Sequence, residues 1–511
     1  MASSKTAEDV ISSQALPTDT TPVENNEAPN PNDVFWDGED DRENPKNWSV
    51  IRRWVHVYIV SLLTFITSLG SSMLAPAVPD VMKSLHSDNS ELKSFVVSIY
   101  VIGSAVGPLV AAPISEVYGR SIVYNVSNVI FLGATVGCAL STNVGMFLAF
   151  RLICGCSGAA PLALGGGSIS DLMELEQWGT AMAIWGFGSL VPPVRLSWIH
   201  RRGRGSYFQV VAPIAGGYLS QDVGWRWIFW VIAIPMGILT VIFPFVIRET
   251  YAPVLLERKA KRLRKEMGNP HYKSRLDSQL SRKKFIFDTL IRPSRILFRS
   301  PAVSLIAVDT AIVYGYQYLV FTTLSYIFQD EYNLSTSLSG LVYLGSGIGT
   351  VLGIFIIGYA SDKVTKRRKE KALDPETMPP EVSLWPMLPS SILVPAGLFW
   401  YGWSLERHAF PVVPLVGLGV FGFGMMGIFQ PVQIYVVNTF GKQAASAMAA
   451  ATVLRSLVGA LLPLGGEKMY DTLGMGWGNS LLAFIALGLV PVPLVLMKYG
   501  ARMRKSDPNL R

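Results

Sequence analysis

Apolar runs close to the roughly 20 residues that carry a helix across a bilayer recur at 54–76, 94–114, 121–140, 145–169, 226–247, 302–328, 338–360, 384–404, 411–436, 444–465 and 478–498. One further run, 178–220, is apolar at both ends and interrupted in the middle. The pattern predicts about twelve spans, six in each half, with both termini on one side. The fold class is therefore an all-α polytopic membrane protein of two six-helix bundles. The polar stretches divide it into a tail at 1–48, bundles at 49–247 and 302–499, a central loop at 248–301 and a second tail at 500–511. The first tail is rich in Asp, Glu, Asn, Pro and Thr and has no apolar h-region, so it is expected to be disordered rather than a cleaved signal.

Charge fixes the orientation. The 248–301 loop carries Arg258, Lys259, Lys261, Arg262, Arg264 and Lys265 among other cations, and the 361–371 loop carries Lys363, Lys366, Arg367, Arg368, Lys369 and Lys371. Loops at 141–145, 221–224, 329–337 and 466–477 hold few cations. The positive-inside rule then puts the basic loops and both tails in the cytoplasm, and an amphipathic stretch on the membrane surface is expected within the central loop. The net charge of +8 is gathered in these loops, which argues against nucleic acid as a partner. Asn333-Leu-Ser335 falls in an outward loop and is a candidate glycosylation site.

Composition agrees with the membrane reading. Half of the 511 residues are hydrophobic and only 16% are charged, against about 25% in soluble domains. Cys138, Cys154 and Cys156 lie in apolar segments without metal-ligand spacing, and the five histidines are scattered, so no metal, cofactor or catalytic constellation is expected. Gly165-Gly-Gly167 has no Gly-Lys-Ser/Thr beside it, which disfavours an ATP-driven pump. The chain is expected not to be an enzyme.

The stretch from Ser98 to Arg120 runs uncharged along a helix with Gly103, Ala105, Gly107, Ala111 and Ala112, small residues that admit a close neighbour, and ends in a turn bearing Glu116, Gly119 and Arg120. A weaker copy at 341–368 ends in Gly358-Tyr-Ala-Ser-Asp-Lys363; paired segments of this kind mark a repeated membrane transporter. Pro113-Ile-Ser-Glu-Val-Tyr-Gly-Arg120 and its echo resemble the loop motifs after spans two and eight of the major facilitator superfamily. Further likeness at 44–49, 151–158, 213–227 and 419–471 points to its fungal drug:proton antiporter branch, near the multidrug and polyamine exporters. The resemblance covers 44 to about 500 and implies the major facilitator fold.

The interrupted run departs from that pattern. Arg195, His200, Arg201, Arg202 and Arg204 would each be costly at mid-membrane, at least about 2.5 kcal/mol per Arg. With Val194 to Gln209 removed, the join brings Pro193 to Val210 and, with Pro213, Gly216 and Gly217, resembles the Gly-Pro-x-x-Gly-Pro-x-x-Gly-Gly antiporter motif of span five. The stretch reads as an in-frame retained intron, since Val-Arg and Phe-Gln fit the usual donor and acceptor codons; a family-specific extracellular insertion is the alternative.

Ionisable groups inside spans are functional candidates by their cost. Arg151 opens a segment resembling the Arg-x-x-x-Gly motif of span four, which implies a part in coupling proton and substrate movement; a helix-bundling Arg is the alternative. Asp309, to which the resemblance does not extend, could bind a cation or exchange a proton if it faces the cavity, or serve as a structural carboxylate. Arg455 and Glu467 are expected to pair with other helices, and His56 to be a packing histidine. Tyr314, Tyr318, Phe321, Phe399, Trp400, Tyr401, Phe429 and Gln430 supply a greasy lining with few directed polar groups. Glu116, Gly119, Arg120, Asp362 and Lys363 are expected to form a cytoplasmic gate, unless they only cap helix ends.

The resemblance implies efflux of a small hydrophobic compound (a drug, toxin or secondary metabolite) in exchange for a proton, by alternating access of a monomeric chain in the plasma or vacuolar membrane. Its partners are then the compound, protons and lipid. An uptake permease for a polyamine or other nutrient and a non-transporting membrane sensor are the rival readings.

Overall fold

The computed structural model describes residues 32–506 except 39, 88–89, 175–176, 178–180, 182–183, 186–210, 277–281, 372–378 and 441–443. The suspect stretch 194–209 and Pro193 lie outside the described residues. Among those described, ten helical stretches are long and apolar enough to cross a membrane. One of them, 447–505, is 59 residues long, enough for two crossings, and is broken by a kink at Gly474, where φ is +75°. The described part of the interrupted run supplies α7, Val211–Asp222.

In the amino-terminal bundle α1 is Val50–Ser72, α2 the short Val78–Ser84, α3 Ser90–Tyr118, α4 Arg120–Ala139, α5 Val144–Gly158, α6 Ala160–Leu172 and α8 Arg226–Val246. Their buried apolar residues form one core. Small residues set the closeness of α3 to α5: a methyl added at Gly103 would lie 2.5 Å from the Leu152 carbonyl oxygen. The carboxy-terminal bundle has its own core, built from α11 Pro301–Tyr332, α12 Thr336–Leu341, α13 Tyr343–Lys371, α14 Met387–Glu406, α15 Val412–Phe440, α16 Ala444–Leu461, α17 Gly466–Leu489 and α18 Pro491–Ser506. Sequence signals set the helix ends: Ser300 caps α11 ahead of Pro301, and Asn333 closes it in the left-handed region.

The central loop contains two amphipathic helices, α9 Ala252–Glu266 and α10 Arg282–Arg299. α10 lies against α3 and α16, one helix from each bundle. Residues 32–48, expected to be part of a disordered tail, are folded onto this loop. Asp33–Val34 pairs in parallel with Lys273–Ser274. Lys259 of α9 reaches Asp37 at 2.7 Å and Asp41 at 3.2 Å, and Arg275 sits over the Phe35 ring. Acidic residues that would keep an isolated segment extended are here paired with the loop's cations.

Candidate functional site

The two bundles meet along an aromatic group. On α11, Tyr314 and Tyr318 have ring centroids 4.9 Å apart, and Phe321 follows 6.1 Å from Tyr318. Phe429 of α15 meets Tyr314 edge-on at 6.2 Å, and Tyr343 of α13 meets Phe321 at 4.8 Å. Phe321 packs against both bundle cores, and Tyr314 and Tyr318 cluster with Val101 and Ile102 of α3 and Ala460 of α16. Tyr318 is within hydrogen-bonding reach of Ser71 on α1. The group therefore lies where relative movement of the bundles would open or close it.

Other expected lining residues point elsewhere. Consecutive helical residues are about 100° apart, so Phe399, Trp400 and Tyr401 cannot share one face. Phe399 packs on Phe484, Trp400 is exposed at the perimeter and Tyr401 is fully buried inside its bundle. Gln430 lies beside Gly358 of α13, while its neighbour Phe429 meets Tyr314. Asp309 is five residues from Tyr314, about 140° around α11. It is 2% exposed, its Oδ2 has no hydrogen-bond partner, and its face is that of Ile306, Val313 and Tyr316, which belong to the interior of the carboxy-terminal bundle.

Arg455 of α16 does join the aromatic group: its guanidinium carbon is 5.2 Å from the Tyr314 ring centroid. Such a contact stabilises by about 0.5–2 kcal/mol, short of the roughly 2.5–3.5 kcal/mol that a mid-membrane Arg costs. Arg151 of α5 is treated differently. Its Nη1 donates to the Gly70 carbonyl of α1 at 2.6 Å and its Nε to the Val96 carbonyl of α3 at 3.4 Å, with the Tyr100 ring 4.9 Å away. It ties three helices together and is 1% exposed.

At the ends of the spans that carry the basic loops, Gly119 and Arg120 sit at the centre of a charged cluster. The Glu249 carboxylate accepts the Arg120 N–H at 2.8 Å and the Ser121 N–H at 3.2 Å, capping α4, and also the N–H groups of Thr250 and Tyr251 at 3.1 Å. Gly119 has φ +104° and lies directly against that carboxylate, which is why no side chain fits there. The Arg120 side chain pairs with Asp171 at 3.2 Å, donates to Ser115 Oγ at 3.1 Å and lies over the Tyr251 ring. Glu116 is within electrostatic reach of Arg120 and of Arg292 on α10. Lys363 is exposed beside the Tyr359 ring; the Asp362 side chain lies outside the described residues. Asp171 and Glu249 were not among the residues the sequence singled out, although each sits at the end of a span, within reach of Arg120. His56 is a packing histidine as expected, with Nδ1 on the Arg52 carbonyl and Nε2 accepting the Arg248 N–H.

At the opposite end, away from the basic loops, the bundles touch directly. A methyl added at Gly217 of α7 would lie 2.7 Å from the Thr336 carbonyl oxygen, and one added at Gly340 would lie 2.9 Å from that of Pro213. Gly216 approaches the Met73 carbonyl at the end of α1 as closely. Gln221 Oε1 accepts the Ser337 N–H at 2.9 Å and its hydroxyl at 2.6 Å. Lys93 of α3 reaches Glu467 of α17 at 3.5 Å, so Glu467, like Arg455, contacts another helix. Asn333 and Ser335 are exposed on this side.

Two bundles of membrane-crossing helices, joined by a basic loop and facing each other across an aromatic group, define a polytopic membrane transporter. The chain belongs to the Major Facilitator Superfamily, whose family model matches residues 60–199 and 203–463. It is similar to the efflux pump radE of Floropilus chiversii, 44% identical over 508 residues, 98% of this chain and 91% of that protein. The MFS-type transporter tndD of Aspergillus flavipes is 46% identical over 478 residues, 93% and 86% of the two chains. The MFS transporter cpaT of Aspergillus oryzae is 45% identical over 490 residues, 95% and 94%. Among solved structures, XylE of E. coli in a partially occluded inward-open conformation has a TM-score of 0.57 at 14% identity, covering 88% of this chain and 98% of that one. That likeness speaks for the fold alone.

Proposed function

We propose that the protein exports a small, largely hydrophobic compound in exchange for an incoming proton. The observation that carries this reading is the aromatic group of Tyr314, Tyr318, Phe321, Tyr343 and Phe429 at the bundle interface, a surface that accepts apolar molecules with little directional demand. The similarity to a protein named as an efflux pump supports the direction of transport. Asp309 faces the interior of the carboxy-terminal bundle and not the aromatic group, so any proton it carries is held apart from the compound; a carboxylate buried there, with no ion pair among the described residues, is costly unless neutralised. Arg151 would relay the resulting shift through its ties to α1 and α3. The outer contacts at Gly217, Gln221 and Lys93 and the cytoplasmic cluster around Glu116, Gly119, Arg120, Asp362 and Lys363 are the two gates. Asn333 would carry a glycan outside, and the plasma membrane is the expected location.

The test is steady-state accumulation of labelled hydrophobic toxins and polyamines in cells with and without the protein, each with and without a protonophore. Lower accumulation that the protonophore abolishes is expected. Higher accumulation in expressing cells would overturn export in favour of uptake.

A further inference from the structure

Arg455 stands at mid-depth. On α16 it is eleven residues, about 16 Å of helix, from the first residue, Ala444, and the rest of α16 to Leu461 and the 3-10 turn Leu462–Gly465 separate it from Glu467. Its guanidinium rests on the Tyr314 ring, and its Nε is buried without an acceptor. Among the described residues, no carboxylate forms an ion pair with it. The acidic groups of this region are committed or turned away: Glu467 to Lys93, Asp171 to Arg120, Glu249 to the start of α4, and Asp309 to the far side of α11.

The contrast with Arg151 is informative. That guanidinium, in the other bundle, also lies over a tyrosine ring, but it has two backbone carbonyls to donate to. As a brace Arg151 has acceptors for Nε and Nη1, and only its Nη2 is buried without one. Among the described residues Arg455 has the ring but no acceptor for its buried Nε, and it borders the aromatic group where a transported molecule would lie.

We propose that Arg455 is the counter-ion for an anionic group on the transported compound, so that the site takes amphipathic acids, a carboxylate or other delocalised oxyanion on an aromatic or aliphatic skeleton. The planar guanidinium fork matches a carboxylate with two parallel hydrogen bonds, while Tyr314, Tyr318, Phe321 and Phe429 receive the apolar remainder. The inference rests on the apolar transport site proposed above. It adds an electrical consequence: an anion leaving while a proton enters moves positive charge inward, so the membrane potential assists export.

The test is binding of 1-pyrenebutyric acid and of its methyl ester to the purified full-length protein in nanodiscs of neutral lipid at neutral pH. The native protein is expected to bind the acid about tenfold more tightly than the ester, the order of one charge-assisted contact. Arg455→Gln should bring the acid down to the ester's affinity, weakening the acid about tenfold more than the ester, and retained ester binding shows that the variant is folded. Arg455→Lys should keep part of the preference, because the charge stays and the fork is lost. Equal binding of acid and ester by the native protein, or equal weakening of both by Arg455→Gln, would overturn the proposal while leaving the apolar site intact. Failure of the native protein to bind even the ester would count against the apolar site itself.

Discussion

Replacing Glu249 with Ala should loosen the amino-terminal bundle at the end that joins the basic central loop. The carboxylate, 5% exposed, accepts two N–H groups from a segment 129 and 128 residues away. Hydrogen bonds to a charged group contribute about 1.5–3 kcal/mol each, and part of that is recovered when water enters; an N-cap is worth about 1 kcal/mol. A net cost of about 2–4 kcal/mol follows from these figures. For a bundle of this size it lowers the melting midpoint by roughly 5–15 °C, readable by thermal challenge of the detergent-solubilised protein and fluorescence-detected gel filtration. Gly119→Ala tests the same geometry independently. Its new Cβ would lie 2.6 Å from Glu249 Cδ, in backbone with φ +104°, and a side chain in that conformation costs about 1–2 kcal/mol before any clash. In the double variant the clash disappears, so the combined loss should fall short of the sum by about 0.5–3 kcal/mol, as for residues in contact. A Glu249→Ala midpoint within about 1 °C of the native protein, or strict additivity with Gly119→Ala, would refute the reasoning.

Arg151→Leu should sharply lower the yield of monodisperse protein, since it removes two ties between helices and leaves the Gly70 and Val96 carbonyls without their donor; normal yield and melting would show that the brace is dispensable. In a Ser337→Cys background, Gly217→Val should hold α7 away from α12 and raise labelling by an impermeant maleimide added outside; unchanged labelling would mean that this contact does not close the outer side. Lys259→Met should release the amino-terminal segment, seen as faster tryptic cleavage after Arg42. The same segment responds to pH in a defined direction. Burial opposes the charge on Lys259, but Asp37 and Asp41 outweigh it and push its pKa up. Burial of Asp41 is likewise outweighed, by the Asp37 and Glu43 N–H groups and Lys259, which hold it below its ordinary 3.8. A raised ammonium contributes below its unfolded value of 10.5 and loses that contribution as pH climbs through the folded value. A lowered carboxylate contributes above 3.8 and loses it as pH falls through the folded value. Amide hydrogen exchange of residues 32–48, corrected for its intrinsic pH dependence, should therefore stay protected from about pH 5 to 9 and lose protection in acid below about 4; loss already at pH 6 would contradict the pairing.

The crossings were legible because length and apolarity decide them: a run such as 226–247 has no soluble alternative, and the helix Arg226–Val246 lies where the run predicts it. The partners of Arg120 were not legible, because Asp171 and Glu249 are 51 and 129 residues away and nothing local to the loop motif names them. The sidedness of the lining was half legible. A helical wheel already separates Asp309 from Tyr314 and forbids Phe399, Trp400 and Tyr401 from sharing a face, whereas the meeting of Phe429 with Tyr314 depends on the packing of two helices. Composition misread residues 32–48, since a polar, acidic segment has no core of its own and its order comes from cations more than 200 residues further on.

The parallel pairing of Asp33–Val34 with Lys273–Ser274 has a mechanical reading. Residues 44–49 lead straight into α1, so the loop up to Ser274 is strapped to the first bundle and travels with it as cargo. Displacement of one bundle against the other must then be taken up further along the chain, ahead of α10. A fluorophore attached at residue 32 would report the position of the first bundle, and one at Ser506, the last residue of α18, would report the second. Removing the strap would lengthen the tether between them without touching a single crossing.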